Sequence, residues 1–145
     1  KTRYNITHNL SKAQLKITST PISDLSKDQK NAFLELHEVW SKRKNVIGYG
    51  QGLLDAILTG FANSGTLHLA YSEKSLVGAL LILYHDCVAT YYAAFVTEVG
   101  NSLYAPTLLT YTAMQVAKEN GCTIFDVGGI YDPRYPKMYK NYSKL

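Results

Sequence analysis

Three apolar segments follow one another with almost no spacing in the middle of this chain: Thr66–Tyr71, Leu76–Tyr84 and Val88–Val96. The breaks between them, Ser72–Ser75 and His85–Asp86, are too short for a crossover, so neighbouring segments must pair antiparallel. Leu76–Tyr84 is apolar on both faces, as the central strand of a sheet should be. Its densest part, Leu76–Leu83, contains Gly78 and falls far short of the ~20 apolar residues that cross a bilayer.

The flanking sequence supplies the rest of a domain. Before the meander, Ala13–Ser19 alternates Leu15, Ile17 and Ser19 with polar residues, a half-buried strand that Pro21 closes. Ser26 stands three residues before Gln29, a capping-box pattern, and Ala32, Phe33, Leu36, Val39 and Trp40 then recur at helical spacing to about Arg43. A second helix over Gly52–Ala62 stops at Asn63-Ser64-Gly65. After the meander, Thr97–Ser102 reads as a loop containing Gly100. Pro106 suits the first turn of a helix, and Ala105, Leu109, Ala113, Val116 and Ala117 make a stripe of mostly small residues suited to close packing on a sheet. Asn120-Gly121 ends that helix, and a short buried strand, Thr123–Val127, runs into Gly128-Gly129. The order is β-α-α-β-β-β-α-β. A strand, a crossing helix and another strand make a parallel pair of right-handed connection. The expected class is therefore α/β (α+β): one domain over residues 1–145, with a mixed sheet in which an antiparallel meander is extended by a parallel crossover strand.

Composition narrows what such a domain could be. With 46% hydrophobic and 18% charged residues the chain is that of a packed globular protein. No membrane span or signal peptide is read, and Cys87 and Cys122, inside apolar segments without CxxC spacing, are expected as buried reduced thiols. A cytoplasmic setting follows. Net charge is +4, concentrated in Lys42-Arg43-Lys44 and in the stretch from Tyr131 to Leu145, where Arg134, Lys137, Lys140 and Lys144 face only Asp132. These clusters either steer a phosphate-bearing ligand or are solvated surface. Tyr131, Tyr135, Tyr139 and Tyr142 interleave with the basic residues, as on an RNA-binding surface or on a tail helix packed against the sheet. The four histidines are scattered without ligand spacing, so no metal site is read, and neither a Gly-x-Ser-x-Gly elbow nor a P-loop occurs. Nothing points to DNA.

Where an antiparallel meander meets a parallel crossover, strand ends can splay and open a groove. The amides of Leu103–Pro106, at the next helix start, would line its mouth. This layout resembles the GNAT superfamily of N-acyltransferases, in which a loop of the form [RQ]-x-x-G-x-[GA] cradles the pyrophosphate of acyl-CoA. The corresponding residues here are Thr97-Glu98-Val99-Gly100-Asn101-Ser102, which keep the central glycine but place a carboxylate near the phosphates.

A closer resemblance is to the Fem family, whose members carry two GNAT-like halves and transfer an amino acid from aminoacyl-tRNA to a peptidoglycan precursor. The matching residues run in order: Arg3-Tyr4-Asn5, Arg43, Tyr49, Leu67–Tyr71, Val77-Gly78-Ala79, Tyr91-Tyr92-Ala93-Ala94, Ala105-Pro106-Thr107-Leu108-Leu109 and Phe125-Asp126-Val127-Gly128-Gly129-Ile130. Tyr139-Lys140-Asn141-Tyr142-Ser143 is a degenerate match to the family's Phe-Lys-x-x-Phe-Gly segment. The resemblance implies a lone half-domain, the C-terminal half of a longer protein, that forms an amide between an activated aminoacyl or acyl group and an amine. It implies Lys140, with Lys144 as a second candidate, facing the substrate or transition state, and Arg43 on substrate phosphate. Asp126 is either a base or amine anchor, or a cap on its own turn. Tyr49, one of Tyr91 and Tyr92, Gly100, Asn101, Leu103, Gly128 and Gly129 complete the expected substrate surface. Expected partners are a muropeptide or small-molecule acceptor, tRNA as donor carrier, and a second half or second copy, with no resident cofactor. Two alternatives stay open: a GNAT enzyme using acyl-CoA, and a non-catalytic half-domain that binds.

Overall fold

The computed structural model describes residues 2–12 and 14–128. Along the chain it runs α1 (Thr2–Lys12), β1 (Lys16–Pro21), α2 (Lys27–Lys44), α3 (Gln51–Gly60), β2 (Gly65–Ser72), β3 (Ser75–His85), β4 (Val88–Val96), α4 (Glu98–Ser102), α5 (Ala105–Glu119) and β5 (Ile124–Asp126). The five strands form one sheet in the order β1-β2-β3-β4-β5, antiparallel except for the last pair. This is the mixed α/β sheet expected, with two helices more. The first, α1, has no apolar stripe to announce it. It lies against α5, where Asn9 Nδ2 donates to Thr107 Oγ1 at 3.3 Å.

Each face of the sheet carries its own core. On one, Phe33 and Leu36 of α2 and Leu54, Ile57 and Leu58 of α3 close over Leu67, Leu69, Leu81 and Phe95. The other face takes α5, whose Leu109, Ala113 and Ala117 settle on Leu80, Ile82, Ala89 and Val96. The small side chains let α5 approach closely. The capping box forms as read, with Gln29 N donating to Ser26 Oγ at 3.1 Å and Ser26 N to Gln29 Oε1 at 3.0 Å. Cys87 departs from expectation: it is exposed, because it sits with Asp86 in the two-residue turn between β3 and β4, while Cys122 is half-buried.

The expected loop after β4 is a short helix, α4, held on the edge of β3. The Val77 carbonyl accepts from both Thr97 N (2.9 Å) and Thr97 Oγ1 (3.2 Å), and Thr97 Oγ1 in turn accepts from Gly100 N (3.0 Å). Gly100 presses flat on this anchor: a Cβ there would lie 2.2 Å from the Val77 carbonyl oxygen and 2.7 Å from Val96 Cγ1. Asn101 N donates to Thr97 O and Leu103 N to Val99 O, both at 3.0 Å. The amides of Gly100, Asn101 and Leu103, expected to be offered to a ligand, are thus committed within the fold. The physical reason is that one helical turn satisfies them locally.

Two predictions follow from this packing. Gly100→Ala should cost about 1–3 kcal/mol, the usual penalty of overpacking against atoms that cannot give way, read as a lowered denaturant midpoint at unchanged slope. His68 supplies the second. It is fully buried in β2, its Nδ1 2.8 Å from Ser19 Oγ, and burial pushes its pKa down to about 4. An unfolded-chain histidine titrates near 6.5. Between those values the unfolded chain binds the extra proton, so the stability from keeping this ring neutral is full above pH 6.5 and drains away towards pH 4. At ~1.4 kcal/mol per pH unit, the loss over that window is about 3 kcal/mol. Urea melts at pH 7.5 and 4.5 should show it, and His68→Gln should flatten that part of the profile; equal slopes for both proteins would contradict the assignment.

Candidate functional site: the parting of two strands

Strand β5 follows β4 for only three pairs, Val88 with Ile124, Ala89 with Phe125 and Thr90 with Asp126. Beyond Thr90 no described strand lies against that edge of β4. The chain turns away at once: Asp126 Oδ1 accepts from Gly128 N at 2.9 Å, and Gly128 has φ +87°, a conformation that glycine adopts readily. Here β4 also changes phase. Its pairing with β3 jumps from Ile82–Tyr91 to Leu81–Ala93, so Tyr92 is an extra residue, a β-bulge. Successive backbone groups alternate between the two neighbours of a strand. Thr97 N bonds to Val77 on the β3 side, so alternation turns the groups of Ala94 and Val96 to the open side. The Val96 carbonyl is taken there by Arg43 Nη2. Among the described residues, Ala94 is left to offer its amide to the groove.

Tyr91 and Tyr92 point to opposite faces, as successive residues of a strand do, and the bulge leaves Tyr92 on the same face as Ala93. Tyr91 packs beside the α5 core and Tyr92 beside the α2–α3 core. Tyr92 stands against Tyr49, ring centroids 6.1 Å apart at 30°, and Tyr49 continues to His37 (6.0 Å) and Phe95 (6.3 Å). Trp40 closes the group 5.3 Å from Phe95. Burial raises the pKa of Tyr91. Burial, and then the proximity of Tyr49, raises that of Tyr92, so both phenols hold their protons at neutral pH. His37 is buried with a lowered pKa because desolvation outweighs the attraction of Glu38. Ser41 Oγ donates to the His37 carbonyl (2.8 Å) and lies 3.0 Å from His37 Nε2, an arrangement that puts the ring proton on Nε2. Gly48 rests directly on this pair: a Cβ there would meet Ser41 Oγ at 2.2 Å and His37 Nε2 at 2.4 Å. Its bare backbone lets the next residue, Tyr49, reach Tyr92.

The structure thus gathers Tyr49, Tyr92 and, on the far face, Tyr91 at the parted strands, with Arg43 at the end of β4. Gly100, Asn101 and Leu103 lie in and after α4 as structural turns. Asp126 caps the exposed turn that ends β5. Gly129 and Lys140, like the tyrosines and basic residues from Tyr131 on, lie outside the described residues. Reading the sequence assigned His37, Trp40 and Ala94 no site role of their own. The first two share a helix face with Phe33, at i+4 and i+7, a signal that was present. The role of Ala94 depends on the bulge, which no side-chain pattern announces. Among the described residues no three His, Cys, Asp or Glu side chains cluster as metal ligands, and no helix is long and apolar enough to cross a membrane.

The family described as acetyltransferase (GNAT) domain matches residues 1–141. No curated protein matches the chain by sequence. The crystal structure of FemX superposes with a TM-score of 0.79 at 12% identity, over 99% of this chain and 52% of that one. The C-terminal domain of an Agrobacterium fabrum protein described as a lysylphosphatidylglycerol synthetase gives 0.72 at 13%, over 99% of this chain and 45% of that one. AAC(6')-Iy, solved in complex with a CoA bisubstrate analog, gives 0.61 at 11%, over 90% and 88%. The chain therefore spans about half the length of the first two, and at these identities the likeness is one of fold. A mixed sheet with parted β4 and β5, and a family match over nearly every residue, agree that this chain belongs to the acetyltransferase (GNAT) domain family.

Proposed function

We propose that this domain transfers an aminoacyl or acyl group to an amine, with the donor's reactive carbonyl at the open edge of β4 and the acceptor entering across Tyr49 and Tyr92. The observation that carries the reading is the loss of β5 as a partner after Thr90, beside the Tyr92 bulge. An extended carrier arm can replace the missing strand by pairing with the exposed backbone of β4, the physics of strand addition.

The chemistry is aminolysis. The neutral amine adds to the donor's carbonyl carbon, the carbonyl oxygen becomes an oxyanion, and collapse expels the carrier's alcohol or thiol, which takes up the proton the amine gives up. The Ala94 amide meets the oxyanion in this reading. One placed donor of that kind is worth ~10²–10³ in rate. Tyr92, holding its proton, orients the acceptor and does not act as a base.

For the finer identity, the Fem-like order of motifs and the FemX fold support an aminoacyl ester on tRNA as donor and a peptidoglycan precursor as acceptor, in the cytoplasm, with this chain as one half of a two-half arrangement. Acyl-CoA is the second reading, supported by the fold shared with AAC(6')-Iy. Against it stand the committed amides of Gly100, Asn101 and Leu103, and Glu98 where the pyrophosphate would lie. Lys140 remains a proposed partner of the transition state.

Transfer from radiolabelled aminoacyl-tRNA, and in parallel from acetyl-CoA, to muropeptide and simple amine acceptors separates the readings. Ala94→Pro removes an N–H that faces away from β3, the edge position where a strand tolerates the proline ring, so it should lower turnover ~10²-fold or more with the fold intact by circular dichroism. Undiminished transfer by that variant would remove Ala94 from the reaction.

A further inference from the structure

At the end of α2, Leu36, Val39 and Trp40 face Val99 of α4 across a hollow of about 210 Å³. At ~30 Å³ per water-sized group, it holds about seven non-hydrogen atoms. Its walls are apolar, and Val39 and Val99 are more than half exposed, so the hollow costs exposed hydrocarbon that nothing described covers. One charge of each sign stands at its rim, Arg43 and Glu98, with Nη1 and Oε1 3.8 Å apart.

Arg43 is under-used. Of the five N–H groups a guanidinium can donate, one makes a close hydrogen bond, from Nη2 to the Val96 carbonyl, and Nε is buried with no partner among the described residues. Its separation from Glu98 is too long for a strong ion pair, and the Glu98 side chain is 83% exposed. An arginine with spare donors calls for a carboxylate. The carboxylate of Glu98 beside it repels a simple anion such as phosphate and attracts an ammonium. Beside the pair, against Leu36, Val39 and Trp40, the hollow has room for a branched or small aromatic side chain, and for little more.

The geometry points to a binding site for a free α-amino acid with an apolar side chain: its carboxylate on Arg43, its ammonium on Glu98 and its side chain against Trp40. This assignment rests on the hollow and its rim alone, so it stands or falls separately from the transfer reaction. It also accounts for Arg43 without a phosphate, since Arg43 and Glu98 together are neutral.

Trp40 is the chain's single tryptophan and lines the hollow, so its fluorescence reports on the site. Titration with L-leucine should shift the emission and saturate in the millimolar range. 4-Methylpentanoate, which lacks the ammonium, and leucinamide, which lacks the carboxylate, should each bind at least tenfold more weakly, and glycine should give no response. Glu98→Gln should abolish the preference for leucine over 4-methylpentanoate, at an unchanged melting temperature. No saturable response to leucine, equal binding of the four probes, or inorganic phosphate binding more tightly than leucine would each overturn the assignment.

Discussion

Among the described residues, strand β4 is paired on both sides along its first three residues and on one side along the rest, and the site depends on that asymmetry. A strand paired on both sides throughout would bury its backbone and leave nothing for a ligand to meet. A strand with a long free edge would invite pairing with another chain. Here the unpaired stretch is short, flanked by α4 and α5, and interrupted by a bulge that redirects the strand's groups. What ends the pairing is local: Asp126 binds the amide of Gly128, and Gly128 takes a left-handed conformation that carries the chain off the sheet.

The far end of β4 needs its own anchor, because a half-paired strand frays. Val77 supplies it by accepting twice from Thr97, and Gly100 lets α4 lie flat on that junction. Arg43 adds a tie from α2 to the Val96 carbonyl. The end of the strand is therefore fixed from β3, from α4 and from α2, and the backbone between Tyr91 and Val96 is held in place before any ligand arrives. Such preorganisation is what makes a single amide useful to a developing oxyanion.

Much of this architecture was legible in the sequence because it is written in side-chain period. The doubly apolar Leu76–Tyr84, the short breaks around it and the small-residue stripe from Ala105 to Ala117 led to the meander, its central strand and the close-packed α5. The parting of β4 and β5 was legible as topology. Features set by backbone were not. Thr97–Ser102 has the composition of a loop, and its helical turn comes from Thr97 bridging Val77 and Gly100 across the strand gap. Cys87 looked apolar in context, yet a two-residue turn leaves it outside. α1 carries no stripe, so only its contact with α5 reveals it. Tyr49 was found by resemblance, whereas His37 and Gly48, the residues beneath it, needed coordinates to show that the absence of one Cβ places a tyrosine.

Amide hydrogen exchange, resolved by residue, addresses the central claim directly. Ala93 and Phe95 bond to β3 while Ala94 faces the open side, so in the free protein the Ala94 amide should exchange at least ~100-fold faster than its two neighbours, the protection difference expected between a paired and an unpaired backbone group. It should slow once a donor substrate is bound. Equal protection at Ala93, Ala94 and Phe95 in the free protein would mean that this edge of β4 is already covered, and the strand could not serve as the donor's seat.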